Sequence, residues 1–314
     1  MPQGKKRHLE TRRGGHDRLR GCPWLQVPTM LVLALAYSTV PGLAWGERGH
    51  KLINAAAVEN LPEPLRRYFQ AHKAYLVEHA NDPDLLAKDD RAERPHHYTD
   101  LDADESFPFV NLQRQFVAEK AGPTPRQLPH GDSIWQIERF TVRLAESLQH
   151  RRWEEADRDA VFAAHYAADL TQPLHTLRNY DGQLTGQAGV HARFETELVN
   201  ALADGWRLSP LPATFEPDLR ARIFKEASAS FSYSNAVFAS DHIAVFGRSY
   251  LDPQYCATFY KLAEPLAEKR LAAGASFVSS LWYTAWVRAG KPVLAGWPAH
   301  VEAVHAHSFA KVSK

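Results

Sequence analysis

Apolar residues recur along most of the chain with the three-to-four residue period of an amphipathic helix. Leu52, Ile53 and Ala57 mark the first such face, which ends where Pro62 and Pro64 follow. Later helices are predicted from Ser133 to Leu148, from Glu155 to Leu170, from near Val190, over 217–239 and through much of 253–288. No series of alternating apolar and polar residues predicts a β-sheet. The pattern therefore predicts an all-α fold, a single-domain multi-helix bundle.

Two stretches interrupt the helical period. Residues 79–110 carry Asp, Pro and His in quick succession, so we predict a long ordered loop, a kind of segment that is often functional. Residues 180–189 contain several glycines and form a second predicted loop. Residues 291–314 are predicted to be a loosely structured tail. The main domain is therefore predicted to span residues 45–290.

The first 44 residues differ from the rest of the chain. A basic stretch up to Arg20 precedes an apolar run around residues 30–37, and the segment ends with the small residues Gly42 and Ala44. This order is typical of a signal peptide, with cleavage predicted after Ala44. The apolar run is shorter than the roughly 20 residues that span a bilayer. We therefore expect no membrane span after cleavage and an exported protein, periplasmic or secreted. The alternative is an uncleaved arm, because the basic region is unusually long.

Removal of this leader changes the charge of the protein. The leader holds seven basic and two acidic residues, so the formal net charge falls from +1 for the whole chain to −4. A mildly acidic protein does not bind polyanions through charge alone, and any attraction for phosphate must be local. Cys256 is the one cysteine after residue 44, so no intrachain disulfide is expected. Of the 16 histidines, 14 stay available as metal ligands.

Histidine and carboxylate pairs occur at helical spacing. His165 and Asp169 are four residues apart, as are His191 and Glu195, so each pair lies on one face of its predicted helix. His175 lies between the two pairs. These five donors within 31 residues exceed the four that a tetrahedral zinc takes. The sequence therefore predicts more than one metal ion.

The predicted loop over residues 79–110 offers further ligands. Asp82 and Asp84 compete as the carboxylate, and His96 and His97 compete as the imidazole, because each pair lies too close in sequence for spacing to decide. Nitrogen and oxygen donors of this kind suit zinc and other first-row ions.

The predicted mature terminus adds a donor of a different kind. After cleavage, Trp45 would offer a free α-amino group and its carbonyl oxygen, and His50 follows five residues later. Because the amine becomes free only when the leader is removed, export would be linked to metal loading.

These residues resemble the superfamily that joins bacterial zinc-dependent phospholipases C to fungal single-strand-specific nucleases. The similarity extends from Trp45 to Ala289. The motifs that carry it are Trp45 with His50, Asp82 and His97 in the loop, His165-x3-Asp169-x5-His175 and His191-x3-Glu195. The resemblance implies an all-helical fold with three zinc ions.

The resemblance also implies how the ligands divide among the ions. The first zinc would be held by Asp82, His97, His165 and Asp169; the second by His175, His191 and Glu195; the third by Trp45, His50 and Asp169. Asp169 would thus bridge two ions. The resemblance favours Asp82, although Asp84 competes with it. It favours His97 over His96 because His97-x2-Asp100-x-Asp102 continues the family pattern.

The activity that the resemblance implies is hydrolysis of phosphodiesters. The paired zincs would activate water near neutral pH, Asp82 would orient or deprotonate it, and no covalent enzyme intermediate is needed. The step from Trp45 to His50 resembles the nucleases, whereas Glu195 as the last ligand resembles the phospholipases. At this stage we favour a phospholipase C-like enzyme, with a single-strand-specific endonuclease/3'-nucleotidase as the alternative.

The substrate would accordingly be a phospholipid headgroup or a single-stranded nucleic acid. Tyr98, Asp100, Asn179 and Tyr180 adjoin the ligands in sequence and are the candidate substrate-binding residues. A rival from another class is a periplasmic zinc-binding protein without catalysis, in which the same ligands stabilise a helical bundle that has no disulfide.

Overall fold

The computed structural model describes residues 45–118 and 128–295 of the chain. The α-helices of these residues are α1 (Gly46–Glu59), α2 (Leu65–Ala71), α3 (Lys73–Glu78), α4 (Asp82–Asp89), α5 (Val110–Ala118), α6 (Ser133–Gln149), α7 (Trp153–Thr171), α8 (Val190–Ala192), α9 (Leu198–Leu202), α10 (Leu219–Val245) and α11 (Pro253–Arg288). The described residues contain no strand, which confirms the all-α prediction. The predicted leader and the predicted tail beyond residue 295 lie outside the described residues.

Helices α6, α7 and α11 form the centre of the bundle. Helix α7 packs along α6 and against α11, and both α1 and α10 also pack against α11. Trp282 of α11 is fully buried, and its indole Nε1 donates a hydrogen bond to the carbonyl oxygen of Ala160 in α7 at 3.0 Å. From Asp159 to Thr171 every residue of α7 is buried. Because α7 lies inside one hydrophobic core, polar residues on it must find partners there.

The prediction of a loop over residues 79–110 is wrong in part. The structure has helix α4 at Asp82–Asp89 and short 3-10 turns at His79–Asn81, Arg94–His97 and Leu101–Ala103. Pro83 lies in the first turn of α4, where a helix needs no backbone N–H donor. The acidic residues of the same turn interact favourably with the positive end of the helix dipole. Helices this short give too little apolar periodicity to be distinguished from a loop.

The helix predicted near Val190 is confirmed, and it contains one widened turn. Helix α8 continues through a π-helical turn at Arg193–Glu197 into α9. Gly189, with φ 86°, precedes this helix, and a Cβ atom there would lie 2.7 Å from Nη1 of Arg193. A π turn inserts an extra residue into a helix and is frequent at functional sites. Here the π turn contains Glu195.

Within residues 45–118 and 128–295, every helix is too short or too polar to cross a lipid bilayer.

Candidate metal centre

Asp169, near the carboxyl end of α7, is the centre of a buried polar cluster. Its Oδ1 lies 3.2 Å from Nε2 of His50 on α1. Its Oδ2 lies 3.0 Å from Nδ1 of His97 and 3.4 Å from Nε2 of His165. All four side chains are buried. The two oxygens of one carboxylate thus face different histidines, as a carboxylate shared between two metal sites requires.

His175, His191 and Glu195 form a second buried group. The Nε2 atoms of the two histidines are 3.0 Å apart. Oε2 of Glu195 lies 2.8 Å from Nε2 of His191 and 3.5 Å from Nε2 of His175. Gln172, which is fully buried, donates from Nε2 to the same Glu195 oxygen at 3.1 Å. Gln172 therefore orients this carboxylate.

Backbone carbonyls orient three of the histidine rings. Nδ1 of His165 donates to the carbonyl of Ala80 at 2.8 Å, and Nδ1 of His175 donates to that of His97 at 2.6 Å. Nδ1 of His191 donates to the carbonyl of Tyr180 at 3.0 Å. With the proton held on Nδ1, each ring directs the lone pair of Nε2 into the cluster, which is the form that binds a metal.

The structure brings Asp84, and not Asp82, into the cluster. Asp84 is 2% exposed, and its Oδ1 lies 3.4 Å from both Nδ1 of His97 and Nε2 of His165. Asp82 instead pairs with His79, with 2.7 Å between Oδ2 and Nδ1. Residues two apart on a helix point about 200° apart around its axis, so only one of the two carboxylates faces α7. The choice of Asp82 does not agree with this geometry, and Asp84 replaces it in our proposed ligand set.

The adjacent histidines 96 and 97 also point in different directions. His97 faces Asp169, whereas Nδ1 of His96 lies 2.7 Å from Oδ1 of Asp132, and the side chain of His96 is 25% exposed. Gln136 donates from Nε2 to the second oxygen of Asp132 at 2.9 Å. The geometry is therefore consistent with His97, and not His96, as the candidate ligand.

Trp45 is fully buried immediately before α1. Its indole Nε1 donates to Oγ1 of Thr171 at 3.3 Å, and its ring centroid lies 5.6 Å from that of Phe194. Thr171 follows Asp169 by two residues, and Phe194 precedes Glu195. Trp45 is thus held beside both ligand-bearing segments, while the role of its α-amino group stays a prediction.

The residues present fit a zinc centre. Buried polar atoms that lack a hydrogen-bond partner are concentrated in the first group: both ring nitrogens of His50, Nε2 of His97, Oδ1 of Asp84 and Oδ1 of Asp169. Burial of such atoms without partners costs free energy, which metal ligation would offset. Three sets of three donors each have ligand atoms within 4.8 Å of one another, namely His50, Asp84 and His165; His97, His165 and Asp169; and His175, His191 and Glu195.

The electrostatics of the cluster favour binding of a cation. Burial, together with the neighbouring histidines, lowers the pKa values of His50 and His97 well below their ordinary value, so these rings are neutral donors. Burial raises the pKa of Asp169 well above its usual range. Burial would lower the pKa of His165, but Asp169 and Asp84 outweigh it and raise this pKa to about 9. A bound cation would stabilise the ionised carboxylate of Asp169 and displace the proton from His165, so metal binding here would release protons.

Of the four candidate substrate-binding residues, the structure leaves three beside an accessible surface. Tyr98 and Asp100 are partly exposed, and Tyr180 is 40% exposed. Burial is the main cause that raises the pKa of Tyr98, and the nearby Asp100 and Tyr180 raise it further. These three side chains are therefore neighbours. Asn179 is nearly buried, and its side chain bonds to the backbone N–H of Leu184 at 2.8 Å. Asn179 therefore shapes the loop internally.

We predict that Asp100 gives substrate binding a pH dependence near neutrality. Burial, and to a smaller extent the charge of Asp102, raises the pKa of Asp100 to about 7. Arg178 lowers this pKa but does not outweigh them. Below that pH the carboxyl is protonated and donates a hydrogen bond, and above it the carboxylate repels an anionic substrate. KM for a phosphodiester should rise about tenfold from about pH 6 to about pH 8 in steady-state assays at constant ionic strength.

Two variants check this assignment. Asp100→Asn should remove the rise in KM, because an amide does not titrate over this range. Asp102→Asn should move the rise to lower pH, because it removes a negative charge beside Asp100. An unchanged pH profile in Asp100→Asn would contradict the prediction.

The loop over residues 180–189 is fixed to helix α10 by one buried carboxylate. Asp241 accepts hydrogen bonds from Gln187 Nε2 and Arg193 Nη2, each at 2.9 Å, and from the hydroxyl of Tyr255. Arg193 also donates to the carbonyls of residues 187 and 188. Leu184, near the middle of the loop, is 68% exposed. The half of the loop nearest His191 is therefore held rigidly.

Two functional candidates were not predicted from the sequence. They are Gln172, which donates a hydrogen bond to Glu195, and Glu93, whose Oε1 lies 3.8 Å from Nε2 of His97. Glu93 precedes His97 by four residues, so the same spacing rule that selected His165 with Asp169 was available for it.

The all-helical bundle brings buried histidines and carboxylates together around one interior carboxylate, an arrangement that could hold metal ions. Residues 45–200 match the S1/P1 Nuclease family, a range that contains every predicted ligand. The chain belongs to the superfamily of zinc-dependent phospholipases C and single-strand-specific nucleases. The match to the S1/P1 Nuclease family supports the activity of a nuclease-like phosphodiester hydrolase. The match does not distinguish the bacterial phospholipase C-like branch. No curated protein matches the chain.

Proposed function

We propose that this chain is an exported, zinc-dependent phosphodiesterase that cleaves single-stranded nucleic acid. The observation that carries the proposal is the sharing of Asp169 between His50 on one side and His97 with His165 on the other, inside the segment that matches a nuclease family. The sequence led us to favour a phospholipase C-like substrate. The family match favours a nucleic acid, and we adopt that substrate here.

In this proposal each group of residues has a distinct task. Three zinc ions bound at the cluster would stabilise charge on the phosphoryl group and acidify an attacking water. Asp84, Asp169 and Glu195 supply negative charge, and the histidines supply neutral nitrogen donors. Oδ1 of Asp84 lacks a hydrogen-bond partner, so Asp84 can accept a hydrogen bond from the attacking water, the role first assigned to Asp82.

The surroundings of the cluster support a single-stranded substrate. Tyr180 is 40% exposed, and its ring centroid lies 6.1 Å from that of His191. Partly exposed aromatic rings such as Tyr180 and Tyr98 offer faces on which unpaired bases stack. Bases inside a duplex are already stacked, so a duplex gains nothing from these faces. We therefore expect a strong preference for single strands.

A parallel assay of four substrates tests the proposal. The full chain, expressed with its leader and loaded with zinc, is incubated with single-stranded DNA, duplex DNA, phosphatidylcholine vesicles and a soluble aryl phosphodiester. We expect single-stranded DNA to be cleaved fastest and a chelator to abolish cleavage.

The other outcomes each support a different function. Faster release of phosphocholine than of nucleotides would overturn the nucleic-acid substrate in favour of a phospholipase C-like enzyme. If zinc binds but no phosphodiester is cleaved, the catalytic proposal fails and a structural or storage role is supported, because structural zinc sites are closed to substrate.

A further inference from the structure

His97 is oriented differently from the other candidate ligands. In His165, His175 and His191 the Nδ1 atom bonds to a backbone carbonyl and Nε2 faces the cluster. His97 instead presents Nδ1 to the cluster, 3.0 Å from Oδ2 of Asp169 and 3.1 Å from Nε2 of His165. Its Nε2 is buried, points away from these groups and has no hydrogen-bond partner.

A carboxylate lies near that nitrogen. Oε1 of Glu93 lies 3.8 Å from Nε2 of His97, and the Glu93 side chain is 15% exposed. The same oxygen accepts a short hydrogen bond from the hydroxyl of Tyr166, a buried residue of α7. The Tyr166 ring also packs edge-on against the His97 ring, with 5.5 Å between centroids. Glu93 is therefore held in place by the helix that carries His165 and Asp169.

We propose that Glu93 is a positioning residue that, held by Tyr166, keeps the ring proton of His97 on Nε2 and so leaves the lone pair of Nδ1 for a metal. To act as a ligand, Nδ1 must be unprotonated, which places the proton on Nε2, facing Glu93. A carboxylate there fixes the tautomer and increases the basicity of the ligand. A shift of less than about 1 Å brings the two atoms within hydrogen-bond distance. This inference rests on the proposed function only in taking the cluster as a metal site.

The chemical consequence follows from the difference between a charged and a neutral acceptor. A backbone carbonyl orients an imidazole, whereas a carboxylate orients it and also stabilises positive charge on the ring. In His165, His175 and His191 the nitrogen that faces away from the cluster bonds to a backbone carbonyl, which does not ionise. The corresponding nitrogen of His97 faces the ionisable side chain of Glu93. Its affinity for the metal should therefore depend on a single side chain.

Zinc affinity in a set of variants tests the proposal. Glu93→Gln preserves the size of the side chain and an oxygen that can accept from Tyr166, but it removes the charge. We expect this variant to bind one equivalent of zinc about 10- to 100-fold more weakly, measured in competition with a chromophoric chelator. Its affinity for the other equivalents should not change. Tyr166→Phe should weaken binding of the same zinc equivalent by a smaller factor than Glu93→Gln does. The matched control is Asp89→Asn, an exposed carboxylate of α4, which should bind zinc like the wild type.

Two further readouts separate positioning from general stability. The metal-free Glu93→Gln protein should unfold at the same temperature as the metal-free wild type. In the metal-free wild type, ¹⁵N chemical shifts should place the His97 proton on Nε2, and the metal-free Glu93→Gln variant should show a mixture of the two tautomers. The proposal would be overturned if Glu93→Gln bound zinc at every site as tightly as the wild type, or if all sites were weakened equally. It would also be overturned if the wild type bound no zinc. Weakened zinc binding in a protein that cleaves no phosphodiester would support it while refuting the proposed function.

Discussion

Asp169→Asn should lower kcat/KM for phosphodiester cleavage by about 10³-fold and remove at least one equivalent of bound zinc, measured by metal analysis after gel filtration. The reason is that both oxygens of Asp169 face histidines of the cluster, at 3.2 Å and 3.0 Å. An amide keeps the shape but supplies neither the charge nor the second anionic oxygen. This substitution would affect two of the proposed metal sites together.

The stability of the metal-free protein is the control for this variant. Burial raises the pKa of Asp169 well above its usual range, so its ionised form is disfavoured in the folded state without metal. A group with a raised pKa destabilises the folded protein as pH increases through that pKa, and the amide removes this cost. The chelated variant should therefore melt no lower than the chelated wild type. Full zinc occupancy in a folded Asp169→Asn protein would refute the shared-ligand role.

The second large effect separates two aspartates on the same helix. Asp84→Asn should lower kcat/KM by about 10²- to 10³-fold, because Oδ1 of Asp84 lies 3.4 Å from two candidate ligands. Asp82→Asn should leave kcat/KM within a few-fold of the wild type, because Asp82 contacts His79 outside the cluster. Steady-state kinetics of both variants on the same oligonucleotide make the comparison.

The two aspartates serve as controls for each other. They lie in the same turn of α4, so a general disturbance of this helix would affect both variants alike. If Asp82→Asn lost as much activity as Asp84→Asn, or more, the assignment from geometry would be refuted and the original choice from sequence restored.

The long helices, and the pairs of candidate ligands that lie on them, could be predicted from the sequence. Helix α7 has a continuous apolar stripe, and the four-residue spacing of His165 and Asp169 places both on its buried side. The same argument located His191 and Glu195, although the π turn there changes the geometry of the helix. Spacing within one helix is a local property, so the sequence contains it directly.

The choice between neighbouring residues could not be made in this way. Whether Asp82 or Asp84 faces α7 depends on the phase of α4, and an error of one or two residues in that phase reverses the answer. The short helices between residues 79 and 110 gave no apolar period from which to fix that residue. The four-residue spacing of Glu93 and His97 is visible in the sequence, but the hydrogen bond by which Tyr166, more than 60 residues later, holds the Glu93 carboxylate is not. Such contacts depend on tertiary packing, which periodicity does not report.

The attachment of the 180–189 loop to Asp241 divides that loop into two parts with different freedom to evolve. Residues next to His191 are tied to α10 through Gln187 and Arg193, so changes there would disturb the ligand-bearing helix. Exposed Leu184 lies beyond these ties, close to Tyr180 in sequence. Substitutions at the outer residues of this loop should therefore leave the positions of His191 and Glu195 unchanged, whereas substitutions at Gln187 or Arg193 should displace them.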